Sequence, residues 1–421
     1  LNPSDISTRF SVTNPRYAIK YYNNRSNFCL VFCGMQGQKS ITREIILVNS
    51  ESDLFLDFAP MEGITTAAFR SAHHAVFGCV DHYYSPFLNT GRAFLSRTRD
   101  RRDIDPVKNN GVPLIPQLLA NDSHDFLTAA AELAGMGYRE INLNLGCPSA
   151  TVVTRHKGAG FLKDPDELDE FLEGVFDGLS DISEAAGFPL RVSVKTRLGL
   201  SDPEEAYSLM TVYNRYPLSL LIIHPRVKAE FYSGSVHMDI FKDMCRESKN
   251  PVCYNGDILT VSDVKRIREL CTPAGIMIGR GAVRNPALFR MIRAAADDQK
   301  SASTSVPTKS DTAAPSSNDT EMSSKKDTAV PSNNDTKTPS IKDTAMPSRD
   351  ELRCFLQLLL SNTAQVIREE KNQLSKMKDV WVYLGTLFQD SSRPLKKIMK
   401  ASHFTEYQAA VEELLTHDLC L

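Results

Sequence analysis

No apolar run in this sequence approaches the roughly 18 residues a helix needs to cross a bilayer. The longest candidates, Phe28–Cys33 and Leu220–Ile223, are strand-sized. This excludes a helical membrane-spanning protein. An excess of one charge is also lacking: 49 basic against 51 acidic residues leave a formal net charge of −2. Wholesale polycation behaviour is thereby excluded, while a local basic patch is not. Close metal-type cysteine pairs are missing too. The nine cysteines are scattered, with only Cys29 and Cys33 near one another. An odd, dispersed set suits reduced thiols better than a disulfide framework and gives no reason to expect a metal. After Leu1 there is no charged region leading into an apolar core, so no secretory leader is expected and the default location is cytoplasmic.

What is present is ordinary in bulk, with 42% hydrophobic and 24% charged residues, and uneven along the chain. At 421 residues the sequence exceeds the usual ~100–200 per domain, so one large domain with a satellite is expected. Residues 1–53 are polar and Asn/Ser-rich, then mildly apolar, without a helical period. They read as an N-terminal extension of unknown role. Residues 54–298 alternate short β-rich runs with amphipathic stretches. Residues 299–349 consist almost wholly of Ser, Thr, Asp, Asn, Lys, Pro and Ala. They carry a repeat, Asp311-Thr-Ala-Ala-Pro, Asp327-Thr-Ala-Val-Pro and Asp343-Thr-Ala-Met-Pro, spaced by sixteen residues. Solenoid repeats need a hydrophobic face and these have none, so the composition predicts a disordered low-complexity insertion. Residues 350–421 show three apolar faces, Leu352/Phe355/Leu356/Leu359/Leu360, Trp381/Leu384/Phe388 and Ala410/Leu414/Leu415, which predict a small helical bundle.

Within 54–298, eight strands are expected: Leu54–Ala59, Val80–Ser85, Leu114–Leu118, Glu140–Leu145, Arg191–Lys195, Leu220–His224, Val252–Asn255 and Gly275–Ile278. Helices open between them at Asp122, at Asp164-Pro165, at Asp202-Pro203 and at Thr260 or Ser262. A small polar residue caps free backbone N–H groups, and proline fits the first helical turn, where no donor is needed. Eight strand–helix units in about 245 residues match an α/β fold of the (β/α)8 TIM-barrel type. A doubly wound open sheet is the runner-up.

Barrel chemistry sits where strands end. The expected ends are Ala59-Pro60-Met61-Glu62-Gly63, Gln117, Asn144-Leu145-Gly146-Cys147-Pro148, Lys195-Thr196-Arg197, His224-Pro225-Arg226, Asn255-Gly256-Asp257 and Gly279-Arg280-Gly281. Seven of eight strands thus end in polar or glycine-rich residues, more than turns alone require. The paired glycine motifs on the last two strands suggest a phosphorylated ligand or cofactor. Lys195 can pair with an anionic ring or phosphate, form a Schiff base, or be a solvated strand end. Gln117 offers a donor and an acceptor to a planar heterocycle. His224 could bind phosphate, transfer a proton or satisfy core groups. Cys147, on a sharp loop, can serve as a general acid or as a nucleophile, because an ordinary thiol is mostly protonated at neutral pH.

Taken together, Ala59-Pro-Met-Glu-Gly-Ile-Thr65 with Phe69-Arg70, Asn144-Leu-Gly-Cys-Pro-Ser149, Lys195-Thr-Arg-Leu-Gly199, His224-Pro-Arg226 with Tyr232 and Gly234, Asn255-Gly-Asp257 and Gly279-Arg280 resemble the tRNA-dihydrouridine synthase family. The motifs stand in the family's order over 54–298, and the C-terminal bundle is similar to its tRNA-binding domain. The resemblance implies an FMN enzyme that reduces the C5–C6 bond of uridine in tRNA, with NADPH as reductant. It implies that Pro60, Met61 and Glu62 line the flavin and that Gln117 and Lys195 meet the isoalloxazine edge. His224, Asn255, Gly256, Asp257, Gly279 and Arg280 would hold the phosphate end. Cys147 would be the proton donor, and Asn144, Arg197 and Arg226 the substrate contacts. Lys371, Lys376, Lys378, Arg393, Lys396, Lys397 and Lys400, against Asp379 and Asp390, give 371–400 an excess of five positive charges, read beside these motifs as tRNA contact. Thr66 and Glu230 depart from the residues common at those places. The expected partner is tRNA, with no membrane and a monomeric state. The rivals are an FMN barrel reductase of small molecules and a non-catalytic RNA-binding protein.

Overall fold

The computed structural model describes residues 7–14, 17–24, 27–34, 46–49, 54–91, 94–304 and 345–420. Strands β1 (Ser7–Asn14), β2 (Tyr17–Asn24), β3 (Asn27–Gly34) and β4 (Ile46–Asn49) pair antiparallel in chain order. The remainder of the N-terminal extension, and the repeat segment from 305 to 344, lie outside the described residues.

Strands β5 (Phe55–Phe58), β6 (His82–Tyr84), β7 (Leu88–Asn89), β8 (Leu114–Ile115), β9 (Gln117–Leu119), β10 (Glu140–Leu145), β11 (Arg191–Gly199), β12 (Leu221–Val227), β13 (Val252–Tyr254) and β14 (Gly275–Ile278) form one parallel sheet. β14 returns to pair with β5. β6 pairs with β8 and β10 with β9. β8 and β9 are the two halves of one strand interrupted at Pro116, which has no N–H for the ladder but whose carbonyl still accepts from Asn142 N–H at 2.9 Å. The sheet therefore closes into an eight-stranded (β/α)8 barrel, and the open-sheet alternative falls. β7 is a short extra strand beside β9.

Side chains alternate across the barrel wall, as strands require. Val192, Val194, Leu221 and Ile223 belong to the apolar layer under the helices, while Ala59, Tyr84, Ile115, Leu220, Ile222, Cys253 and Met277 form a separate cluster. On the second set of faces β10 carries Asn142 and Asn144, and β11 carries Ser193, Lys195 and Arg197. The parallel register places Asn144 beside Lys195 and Arg197 beside His224.

The helices are α1 (Ala67–Val76), α2 (Thr98–Asp103), α3 (Ser123–Gly135), α4 (Ala150–Val153), α5 (Pro165–Ala186), α6 (Glu205–Tyr213), α7 (Met238–Glu247), α8 (Val261–Leu270), α9 (Arg280–Arg284) and α10 (Leu288–Thr304). Asp122, Asp164 and Thr260 accept from backbone N–H groups as N-caps. α5 has an apolar face that continues through Leu179, and Gly187, at φ 75°, stops it in the left-handed conformation that glycine adopts without strain. α10 carries the barrel past the expected boundary at 298.

The C-terminal helices are α11 (Arg349–Ala364), α12 (Glu370–Leu384), α13 (Ser392–Lys400) and α14 (Phe404–Leu415). Trp381 is fully buried among them and donates its Nε1–H to Tyr407 Oη at 2.8 Å. The bundle is fused to the barrel through α1: Phe355 stands edge-on to Phe69 and Phe77, at 5.5 and 5.7 Å. Arg290 grips Glu351 at 2.6 and 3.0 Å. This bidentate pair holds the Glu351 carboxyl down at about 2.

Candidate active site

A cavity of about 720 Å³ opens where the barrel strands end, within the ~300–1,000 Å³ typical of cofactor and ligand sites. Its wall includes Pro60, Met61, Glu62, Gln117, Asn144, Cys147, Lys195, Arg197, His224, Asn255, Gly256, Asp257, Gly279 and Arg280. Of the expected catalytic, cofactor-binding and substrate-contacting residues, all but Arg226 line it. Tyr383 of α12 also lines it, so both domains build the pocket.

A chain of side-chain hydrogen bonds crosses the barrel and ends on the cysteine loop. Asn142 donates to Ser193 Oγ at 3.0 Å and accepts from Gln117 Nε2 at 2.7 Å. Gln117 Oε1 accepts from Asn144 Nδ2 at 2.7 Å. Asn144 Oδ1 then accepts from both Gly146 and Cys147 N–H, each at 3.0 Å. Each amide fixes the orientation of the next. Gln117 keeps one N–H and one lone pair for a ligand. From the other side Arg197 donates from Nε to Gly146 O at 2.9 Å and from Nη1 to Val227 O at 3.1 Å. The loop also needs Gly158. Its φ is 57°, and a Cβ there would meet Cys147 O at 2.9 Å. Cys147 is half-buried, and burial pushes its thiol above the ordinary value despite the nearby Arg197 and Lys195. It is therefore a protonated thiol at neutral pH, held at the pocket wall.

Positive charge collects on the neighbouring strands. Lys195 is half-buried, and among the described residues no carboxylate pairs with it. Desolvation first, then the Arg197 charge, lowers its ammonium to about 8. His224 is buried and lies well below its ordinary value, through burial and then the surrounding Arg197, Lys195, Arg226 and Arg280. It is neutral. Arg226 Nη1, which can only donate, lies 3.1 Å from His224 Nε2, so that nitrogen accepts and Nδ1 carries the proton. Arg280 donates to Asp257 at 2.7 Å. Arg197 and Arg280 lie over the Tyr232 ring at 5.4 and 4.9 Å from its centre, a cation–π arrangement.

Arg226 itself is 1% exposed. It is tied to Asp257, Ser233 O, Gly234 O and His224, so it braces the wall instead of contacting what enters. Asn142, Ser193 and Tyr383 were not singled out in the sequence. The first two could have been, because they continue the alternation that carries Asn144 and Lys195. Tyr383 could not, since helix packing alone brings it to the pocket.

Residues 57–380 match the family described as Dihydrouridine synthase (Dus). A tRNA-dihydrouridine(16) synthase of Ralstonia nicotianae is 32% identical over 240 residues, covering 56% of this chain and 71% of that relative. One from Cupriavidus necator is 33% identical over 256 residues, covering 59% and 76%. Among solved structures, morphinone reductase in complex with tetrahydroNAD aligns over 57% of this chain and 86% of its own, at a TM-score of 0.40 and 13% identity. A barrel with a cysteine loop and a cationic floor, joined to a basic helical bundle, is the architecture of an enzyme. The chain belongs to the dihydrouridine synthase family.

Proposed function

We propose that this protein reduces uridine in tRNA to 5,6-dihydrouridine, with FMN as resident cofactor and NADPH as reductant. The observation that carries the reading is the protonated Cys147 thiol, on a loop held by Asn144 and Arg197, in the same pocket as the Lys195 charge.

The pocket fits a flavin on three counts. The unpaired lysine suits a ring that gains negative charge on reduction. A Cβ at Gly279 would lie 3.3 Å from Ala59 Cβ and 3.5 Å from Met61 Sδ, so glycine keeps that corner open. The free valences of Gln117 suit a planar heterocycle with both donors and acceptors. His224, Asn255, Gly256, Gly279 and Arg280 would hold the phosphate end, with Asp257 orienting Arg280. When bound, the flavin supplies hydride to uridine C6. Cys147 supplies the proton to C5, a role for which its raised pKa keeps it charged with that proton. Asn144 and Arg197 orient the cysteine loop and retain N–H groups for the nucleotide. The target base must leave its stack to reach this depth. Exposed Arg393, Lys396 and Lys400 of α13 suit the RNA backbone. The balance is uridine, NADPH and one proton to dihydrouridine and NADP⁺.

Nucleoside mass spectrometry of unmodified tRNA incubated with the protein, FMN and NADPH tests this. A gain of two hydrogens on a uridine is expected, with position 16 read first because the relatives above are named for it. Turnover of a small enone with untouched tRNA would overturn the reading.

A further inference from the structure

We infer that α2 is a second RNA-backbone binding surface, separate from the C-terminal bundle and set on the lip of the pocket. The inference rests on the tRNA reading above and adds to it a surface on the barrel itself.

The sequence of α2 and its N-cap, Arg97-Thr-Arg-Asp-Arg-Arg-Asp103, contains four arginines, and the helix buries none of its residues. Arg97, Arg99, Arg101 and Arg102 are all exposed. Among the described residues only Arg99 of the four has a carboxylate partner, Glu62 at 2.9 Å with Asp100 beside it. A six-residue helix with no buried face has little stability of its own. This one is instead clamped from below. Arg70, fully buried, donates to Asp103 Oδ2 at 3.1 Å, to Asp103 O at 2.5 Å and to Asn109 Oδ1 at 2.9 Å. The other Asp103 oxygen accepts from Ala67 N–H, at the start of α1, at 2.6 Å. Ile104, which follows, is buried, and its carbonyl accepts from Tyr138 Oη at 2.5 Å. A buried arginine is costly to desolvate, and here it fixes the base of a helix whose exposed residues are Arg99, Arg101, Arg102 and Thr98.

Position gives the patch its meaning. Glu62, gripped by Arg99, lines the cavity. The next residue, Gly63, faces the bundle: a Cβ there would lie 3.7 Å from Lys376 Nζ. Lys376 and the pocket-lining Tyr383 share α12 at i, i+7, one face of the helix. Cations of α2 and α12 thus flank the 62–63 lip, where Glu62 is held by Arg99 and Lys376 pairs with Asp379 at 3.0 Å. Guanidinium forks match phosphate oxygens, and a polyanion lying across the mouth would meet α2 on its way to the bundle. An isolated nucleotide in the pocket would not need it.

The test is binding of unmodified tRNA to the flavin-loaded protein across a salt series, for wild type, Arg97→Gln/Arg101→Gln/Arg102→Gln, the same three positions as lysine, and Arg393→Gln/Lys396→Gln/Lys400→Gln. The α2 glutamine variant should raise Kd about tenfold and lower the slope of log K against log salt by about 2–3, at roughly one per lost phosphate contact. The lysine variant should keep the slope. Arg102→Glu alone, a single exposed reversal, should weaken binding in the same direction and guards against a misfolded triple variant. An unchanged Kd and slope in the α2 variants, with weakening in the bundle variant, would overturn the α2 surface and leave the tRNA reading standing. A wild-type protein that fails to bind tRNA at all would overturn both.

Discussion

Lys195 faces two opposed demands that a single titration can separate. Burial without a counter-charge lowers its pKa from an ordinary 10.5 to about 8, so the charged form is destabilised in the folded protein. The unfolded chain holds more protons than the folded one between these values. Lys195 therefore costs stability below about pH 8, and that cost is relieved as pH rises toward 10.5. Flavin affinity should run the other way, because only the charged lysine attracts an electron-rich ring. We expect flavin binding to the apoprotein, followed by fluorescence quenching, to weaken from about pH 8 upward, and Lys195→Gln to show weaker binding without that decline. An identical pH profile in the variant would show that Lys195 does not meet the ring. The fates of the two arginines diverge at this same scale. Arg197 and Arg226 occupy comparable strand-end motifs in the sequence. Asp257, whose φ of 43° turns it toward Arg226 and Arg280, captures Arg226 within the wall. No local pattern in the sequence announces that capture, because it depends on a neighbouring strand's register.

Among the elements, the strands were the readable part. β10 and β14 have the bounds that alternation predicts, Glu140–Leu145 and Gly275–Ile278. The third strand was expected whole but is split, since Pro116 removes one ladder donor. β11 extends to Gly199 where the reading stopped at Lys195, because polar Thr196 and Arg197 disguise a continuing period of two. The join between domains was not readable at all. Phe355 looks like one more apolar residue on a bundle face, yet it packs on α1 of the barrel. Its ring is fully buried, so Phe355→Ala should cost about 3–5 kcal/mol, the usual range for a buried aromatic truncation. The whole chain should then melt earlier in one transition. Loss of a separate small transition, with the barrel's melting unmoved, would show that the bundle folds by itself.

For the molecule as a whole, a net charge of −2 conceals an uneven distribution. Cationic groups concentrate on the pocket floor, on α2 and on α13, while many carboxylates elsewhere are engaged as caps and in ion pairs. Composition excluded a polycation correctly and could not show this polarity, which arises only when the barrel ends, the α2 loop and the bundle converge. No helix among the described residues is long and apolar enough to cross a membrane. The barrel supplies a fixed frame for the acid and the cationic floor, and the bundle reaches across with Tyr383 to complete the mouth. On the proposed reading both halves act on one tRNA, with Cys147 as the acid. The most direct test follows flavin reoxidation by stopped flow, after reduction with NADPH, when unmodified tRNA is added in the absence of oxygen. Wild type should reoxidise with formation of dihydrouridine. Cys147→Ala should still be reduced by NADPH but reoxidise about 10²–10⁴-fold more slowly, the usual contribution of a positioned general acid. Reoxidation by tRNA at the wild-type rate in Cys147→Ala would contradict the assignment of Cys147 as the acid.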